Sequence, residues 1–351
     1  MALNDEYNKH NSQNNNNANS LKAQKLSSEI IWKNNYNINI SSIFLSCDSN
    51  YISAASNSGE LIMLNANNGT EKFRTKFAMP LSHSQIDDST GDVFAFGKNI
   101  VTRVSPAGNI IWQKNIQTPI IGGAISQSAK RFFLCYEGNK IVIADYNAAA
   151  CAKGGVESKG AISGIYAPKF SSNFVVVTYA GDVFYLQKEG TILWQFCIKD
   201  RLSSVSVSND GSIIFIGSQE NKVLCLHSEQ KVIFNFELRS PVTCTDISED
   251  GKFYGVGCSD GYIYILNDRG ETIYYDRPFS NVSKLFISEH AQKIVTLSDN
   301  STITMSKITK RKTTEENARD FSTFIELNSS ANEGGNKNIF EKTSIDNFIE
   351  L

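Results

Sequence analysis

Short runs of apolar and β-branched residues alternate with polar turn residues along most of this chain. Gly, Asn and Asp separate the runs, which is typical of strands joined by tight turns, and no long 3.6-residue apolar spacing is present between positions 29 and 312. One class of run recurs about every forty residues, at 61–64, 100–104, 141–143, 183–186, 223–226, 262–265 and 302–305. The pattern therefore predicts an all-β protein built from repeats.

A second pattern with the same period places an aromatic residue four positions after a glycine. The aromatic positions are Trp32, Phe73, Trp112, Trp194, Phe234 and Tyr274, and the associated glycines are Gly69, Gly108, Gly190 and Gly270. Successive aromatic positions lie 41, 39, 82, 40 and 40 residues apart. The step of 82 spans two periods, so one repeat near position 153 has lost its aromatic residue.

Each period also contains a further apolar run that ends in a tight turn, such as 208–211 and 248–251, where Asp-Gly favours the positive φ of a hairpin. Four strands in forty residues form the blade of a β-propeller. Seven four-stranded blades are predicted, at 39–77, 78–116, 117–157, 158–198, 199–238, 239–278 and 279–312. The seventh lacks an outer strand, and we expect residues 29–38 to supply it and close the ring.

Composition predicts arms on both sides of this propeller domain, which covers 29–312. Residues 1–28 are Asn-rich and residues 313–351 are polar and acidic, so neither buries enough apolar surface to offset its ordering entropy, and both are expected to be disordered. The whole chain has 351 residues and a net charge of −2, which excludes a basic nucleic-acid binder as the default. No apolar run is long enough to predict a membrane-spanning helix.

The seven cysteines are expected to be free thiols. No pair has CxxC spacing, the four histidines are scattered, and no basic patch with an apolar run follows Met1, so a reducing cytoplasm is the expected compartment. No metal, cofactor or catalytic residue is predicted, because P-loops, nucleophile elbows and HExxH are absent. The single aspartate of each Ser-x-Asp-Gly turn is too little for a Ca²⁺ shell of six to eight oxygens, so these segments are interpreted as hairpin turns.

The Gly-x-x-x-aromatic units and Asp-Gly turns resemble those of the WD40-like and quinoprotein-like propeller superfamily, over about residues 29–312. The sequence lacks the Gly-His and Trp-Asp elements of WD40 repeats, and it looks closer to repeats of pyrroloquinoline-quinone enzymes and of the outer-membrane assembly propeller lipoprotein. The resemblance implies one enzymatic option, a quinone cofactor held with Ca²⁺, usually in an eight-bladed ring. An exported assembly factor would need an export signal. The motifs indicate architecture far better than function.

Two features suggest contacts with other proteins. The loops from each outer strand to the next inner strand, with their flanks, carry Lys33, Arg74, Lys76, Lys114, Lys159, Lys199, Arg201, Arg239, Arg277 and Lys284. These residues predict either scattered solvated charge or a basic rim for an acidic protein segment, with Arg201, Arg239 and Arg277 as the proposed contacts.

The other feature is a tetrapeptide that occurs twice in the C-terminal tail. Phe324-Ile325-Glu326-Leu327 recurs as Phe348-Ile349-Glu350-Leu351, and an aspartate shortly precedes each copy. The apolar side chains of both copies (Phe324, Ile325, Leu327, Phe348, Ile349 and Leu351) are candidate docking residues, with a chance repeat or packing on the chain's own propeller as the alternatives. The sequence thus favours a non-catalytic interaction scaffold, with a cofactor- or ligand-binding propeller enzyme or sensor as the alternative.

Overall fold

A computed structural model describes residues 26–278 and 280–310 of the chain. This part folds into seven four-stranded antiparallel sheets that follow one another around a ring, a seven-bladed β-propeller. The predicted fold class and blade count are confirmed. Apart from residues 26–28, the predicted arms lie outside the described residues, and so do the six apolar tail residues proposed for docking.

Twenty-eight strands make up the ring, and blades 1 to 6 each take four consecutive strands, from the inner strand at the axis to the outer strand at the perimeter. Blades 1 to 3 contain β2 (Ile40–Leu45), β3 (Tyr51–Ser56), β4 (Glu60–Asn65), β5 (Glu71–Lys76), β6 (His83–Ile86), β7 (Val93–Gly97), β8 (Ile100–Val104), β9 (Ile110–Asn115), β10 (Ile120–Ser126), β11 (Arg131–Tyr136), β12 (Lys140–Asp145) and β13 (Ala150–Gly155). Blades 4 to 6 contain β14 (Ile162–Tyr166), β15 (Phe174–Thr178), β16 (Asp182–Leu186), β17 (Ile192–Cys197), β18 (Leu202–Val207), β19 (Ile213–Ser218), β20 (Lys222–His227), β21 (Lys231–Glu237), β22 (Val242–Ile247), β23 (Tyr254–Cys258), β24 (Ile263–Leu266) and β25 (Thr272–Asp276).

Blade 7 is assembled from both ends of the described chain. Its first three strands are β26 (Val282–Ile287), β27 (Lys293–Ser298) and β28 (Thr302–Lys310), and its outer strand is β1 (Leu26–Asn35). Strand β1 pairs antiparallel with β28, from Leu26 opposite Lys310 to Asn35 opposite Thr302. The predicted closure is therefore present, but the strand covers 26–35 rather than 29–38, because the chain turns at Tyr36 to enter blade 1.

Burial follows from this layered arrangement. The second and third strands of a blade are covered on both faces by neighbouring blades, so β15 and β16 are buried along their whole length. Outer strands pack against a neighbouring blade on one face only, so residues of β21 alternate between exposed and half-buried. The core accordingly lies between blades, as in the cluster that joins Ile52 of blade 1 to Val295 of blade 7.

The Gly-x-x-x-aromatic motif forms one contact between neighbouring blades. Trp32 of blade 7 donates its indole N–H to the carbonyl oxygen of Ala66 in blade 1, at 2.7 Å, and Trp112 and Trp194 make the same bond to the residue 34 positions on. The glycine that receives each aromatic ring lies in the following blade, as Gly69 of blade 1 lies beneath the ring of Trp32 from blade 7. The degenerate repeat is the outer strand β13, which carries Ala152 at the aromatic position.

The Ser-x-Asp-Gly segments are hairpin turns, as predicted. In blade 5 the carboxylate of Asp210 accepts hydrogen bonds from the hydroxyls of Ser208 and Ser212, and these bonds, outweighing the effect of burial, lower the pKa of Asp210. The positive φ lies at Gly211, with a φ of 78°. One short 3₁₀ turn, Glu289–Ala291, is the only helical element among the described residues, and none of these residues forms a helix able to cross a membrane.

Candidate functional site: the axial channel

The seven inner strands surround an axial cavity of about 420 Å³. A second pocket of about 610 Å³ lies at one mouth and shares Ser163, Tyr166 and Ser203 with the cavity. We call this side the front face; it carries the loops from outer to next inner strand and the turns between second and third strands. The opposite side, the back face, carries the other two sets of turns. The channel thus opens on the front face.

Side chains in the channel wall bond the inner strand of one blade to that of the next. His83 Nε2 lies 2.6 Å from the carbonyl oxygen of Gly123, and Asp246 Oδ2 accepts the backbone N–H of Ile287 at 2.8 Å. Backbone ladders cannot form here, because neighbouring inner strands belong to different sheets. Polar wall residues therefore supply the inter-blade bonds near the axis.

A ring of hydroxyls lies close to the front mouth, at β-bulges of the inner strands. In five blades this hydroxyl donates to the carbonyl oxygen of the residue 14 positions on, in the second strand of the same blade. The donors are Ser41, Ser163, Ser203, Thr243 and Ser283. Each hydroxyl donates its proton to a carbonyl oxygen of its own blade. Its oxygen therefore keeps lone pairs that can accept from a hydrogen-bond donor in the channel.

A second polar ring closes the back of the channel, and every blade contributes one residue to it. Its members each follow, by seven positions, the buried aliphatic residue at the start of an inner strand. They are Cys47, Asp88, Gln127, Lys169, Asn209, Glu249 and Glu289. The first six are joined by hydrogen bonds or ion pairs, whereas Glu289 is mostly exposed and contacts His290. We call this set the back ring.

Lys169 crosses the axis within the back ring. Its ammonium lies 2.8 Å from Glu249 Oε1, 3.6 Å from Asp88 Oδ2 and 2.7 Å from Cys47 Sγ. Burial alone would lower the pKa of Lys169, but the two carboxylates outweigh it and raise the pKa. Burial also raises the pKa of the Cys47 thiol, which therefore stays protonated. The bonds join blades 1, 2, 4 and 6.

Charge in the middle of the channel is set by three residues. Burial lowers the pKa of His83 to about 4; the bond to Gly123 opposes this shift and the Lys284 ammonium adds to it. Burial raises the pKa of Asp246 to about 8, against backbone hydrogen bonds that favour the carboxylate. Near pH 7, His83 is neutral and Asp246 is largely protonated, whereas the Lys284 ammonium acts on His83 as a positive charge.

The three arginines predicted for partner binding are exposed in front-face loops that precede blades 5, 6 and 7. Arg201 also lines the front pocket, and Arg277 Nε donates to the carbonyl oxygen of Asp260 at 2.8 Å. Other basic residues of this face have partners: the rim residues Arg74 and Lys76 both contact Glu60, and Lys222, which is outside the predicted rim, pairs with Asp200. Acidic side chains from the second-to-third-strand turns share this face, at Glu60, Glu137, Asp182, Glu220, Asp260 and Asp299.

Lys284 is not on the rim with which it was grouped from the sequence. It lies on inner strand β26 and lines the axial cavity. It influences the pKa of His83, two blades away around the ring, so its charge acts across the channel. The back ring was also missed, although aligning the inner strands at their forty-residue period places a polar residue at one position in every blade.

All seven cysteines are free, as expected, although Cys151 is exposed. Within residues 26–278 and 280–310, no group of three His, Cys, Asp or Glu side chains is arranged to hold a metal ion. No known family profile matches the chain, and no curated protein matches it.

Proposed function

We propose that this protein is a non-catalytic scaffold for protein–protein interactions. The propeller serves as the platform, and the tail residues Phe324–Leu327 and Phe348–Leu351 serve as docking peptides for partner proteins. Short motifs of aromatic and aliphatic residues commonly bind in grooves or along sheet edges of a partner. Two copies on one chain would raise avidity for a partner with two sites.

The observation that carries the platform role is the recurrence of an exposed arginine in three consecutive front-face loops. Arg201, Arg239 and Arg277 precede the inner strands of blades 5, 6 and 7, so they follow one arc of the front face. Guanidinium groups pair with carboxylates in two-point geometry, which suits an acidic segment of a partner protein. The acidic residues of the neighbouring turns would limit binding to segments that avoid them.

The rigidity of the ring also supports this role. Strands β1 and β28 join the two ends of the described chain, and the back ring joins four blades through Lys169. A preorganised surface loses little conformational entropy on binding.

The arginine arc is tested by charge reversal. The triple variant Arg201→Glu, Arg239→Glu and Arg277→Glu should lose partners in an affinity purification, and the loss should resemble the effect of raised salt on the parent. The matched control reverses Lys98, Lys140 and Lys153, exposed lysines of blades 2 and 3 outside the predicted basic rim. The proposal that these three arginines bind partners is wrong if both triple variants retain the same partners.

The tail is tested separately. Serine substitutions at Phe324, Ile325 and Leu327, at Phe348, Ile349 and Leu351, or at all six, are compared in the full chain. We expect a partial loss of partner binding for each single copy and a larger loss for both. A variant with Asn332, Asn336 and Asn338 replaced by serine is the control. Unchanged binding after all six substitutions would exclude the docking role and leave the arginine arc untouched.

A further inference from the structure

Lys284 lines the axial cavity, and no carboxylate in residues 26–278 and 280–310 forms an ion pair with its ammonium. The Lys284 ammonium acts on His83 and on the Cys244 thiol, and burial keeps both of these groups neutral near pH 7. Burial also leaves Asp246, another residue of the cavity wall, largely protonated. The carboxylates of Asp88 and Glu249 are engaged by Lys169 at the back ring. The positive charge of Lys284 is therefore the net charge that a molecule entering from the front meets in this part of the channel.

The surroundings of this charge are polar and small. Ser42, Ser204 and Ser206 line the same cavity, and Thr245 bonds to both Ser204 and Ser206. The Ser42 and Ser206 hydroxyls retain lone pairs for a hydroxylated guest, and the front-mouth hydroxyls present lone pairs as well. Ser204 Oγ already accepts two hydrogen bonds from Thr245, so its hydroxyl can donate to a guest. The cavity volume of about 420 Å³ lies in the range of small-molecule sites.

We propose that the axial cavity binds a small hydroxylated organic anion. Its carboxylate or phosphate group pairs with the Lys284 ammonium, and its hydroxyl groups donate to the serine and threonine oxygens of the channel wall. The ion pair forms away from bulk water, where the attraction between opposite charges is stronger than on the surface. The anion enters from the front face, because Lys169 and its partners close the back. This site is independent of the arginine arc and of the tail.

The experiment uses the full chain and three probes: gluconate, inorganic phosphate and neutral glucose. Calorimetry should give a Kd of about 1 mM or lower for gluconate or phosphate, and binding at least tenfold weaker for glucose. Lys284→Met should weaken anion binding at least tenfold, whereas Lys284→Arg should retain it. Lys98→Met, a front-face lysine outside the cavity, is the matched control.

A readout on the parent chain avoids any dependence on folding of the variants. Gluconate should protect Lys284 from acetylation, measured by peptide mass spectrometry, and should leave Lys98 unprotected. Equal binding of glucose and gluconate, unchanged affinity in a folded Lys284→Met variant, or no protection of Lys284 would each overturn the proposal. The proposal would also be overturned if neither gluconate nor phosphate bound at about 10 mM.

Discussion

The indole of Trp32 lies directly over Gly69 of the next blade. A Cβ atom placed on Gly69 would be 2.7 Å from the ring, closer than such atoms approach in proteins. Gly108 has the same relation to Phe73, and Gly270 to Phe234. The two ends of the Gly-x-x-x-aromatic motif thus face opposite neighbours, since the glycine receives the ring of the preceding blade and the aromatic covers the glycine of the following one.

This geometry predicts that Gly69→Ala destabilises the propeller for two reasons. Gly69 has a φ of +72°, which costs alanine about 1–2 kcal/mol, and the added methyl overlaps the Trp32 ring, which costs roughly 1–3 kcal/mol more. Denaturant unfolding measures the total.

Gly190→Ala is the matched control for the methyl overlap. Gly190 has the same motif position and a φ of +91°, but it follows the blade without an aromatic, and its nearest neighbour is Ile143 at 3.8 Å. Only the backbone cost should appear there. Equal losses of stability in the two variants would contradict the predicted overlap of the methyl added at Gly69 with the Trp32 ring. A small loss of stability in both would contradict the predicted cost of a positive φ for alanine.

The fold was predictable because its signals are local and repeat. Turn residues and alternating runs mark each strand within a few positions, and the spacing of the aromatic residues gives the number of blades although Ala152 replaces one of them. The closing strand β1 was predictable from Trp32, which matched an outer strand that had no preceding blade. Its ends were misplaced by three residues, because Ser27 and Tyr36 carry no boundary signal of their own.

The site was less predictable, because its contacts join residues far apart in the sequence. Lys169 meets Cys47 across 122 positions and Glu249 across 80 positions, and no local pattern indicates such partners. Similarly, Lys284 looks like a loop residue in a polar stretch until β26 places it in the channel wall. The acidic residues on the front face belong to the turns between second and third strands, whereas the basic rim was predicted from the loops between outer and inner strands.

The back ring predicts a large effect at Lys169. Lys169→Met leaves the carboxylates of Asp88 and Glu249, each with about a fifth of the side chain exposed, without their cation. We expect a loss of about 2–4 kcal/mol in the free energy of unfolding, measured with denaturant near pH 7.

Lys231→Met is the control, because Lys231 pairs with Glu229 on the same face but both side chains are mostly exposed. It should change stability by less than about 0.5 kcal/mol. Adding Asp88→Asn and Glu249→Gln to Lys169→Met should recover part of the loss, since the unpaired charges are removed. No recovery would show that packing of the lysine stem, not charge, dominates.

The closure of blade 7 predicts different outcomes for two truncations. Removal of residues 1–25 leaves β1 intact and should leave thermal unfolding unchanged. Removal of residues 1–35 also removes Trp32 and exposes the edge of β28, so we expect a loss of at least ~3 kcal/mol and association between molecules, seen by size-exclusion chromatography. A synthetic peptide of residues 26–35 should restore the elution volume of the full chain. Unchanged stability and an unchanged state of association without β1 would contradict the closure.

Asp246 predicts that the propeller loses stability as pH rises toward 8. Burial holds the native pKa at about 8, whereas an unfolded aspartate has a pKa near ~3.9. Between these values the native state binds a proton that the unfolded state has released, so the free energy of unfolding falls with pH, by at most about 1.4 kcal/mol per unit for this group. Asp246→Asn keeps an oxygen for the Ile287 N–H and should flatten this slope in denaturant unfolding from pH 5 to 9.

Asp250 of the same blade supplies a control of opposite sign. Burial would raise the pKa of Asp250, but the Ser248 hydroxyl, the Lys252 N–H and His290 outweigh it and lower the pKa. The contribution of Asp250 to the free energy of unfolding is therefore present above its unfolded pKa and is lost as pH falls through its native pKa. Asp250→Asn should therefore alter only the acid limb below about pH 4. An alkaline slope that persists in Asp246→Asn would assign the proton to another group and would show Asp246 to be ionised in the folded channel.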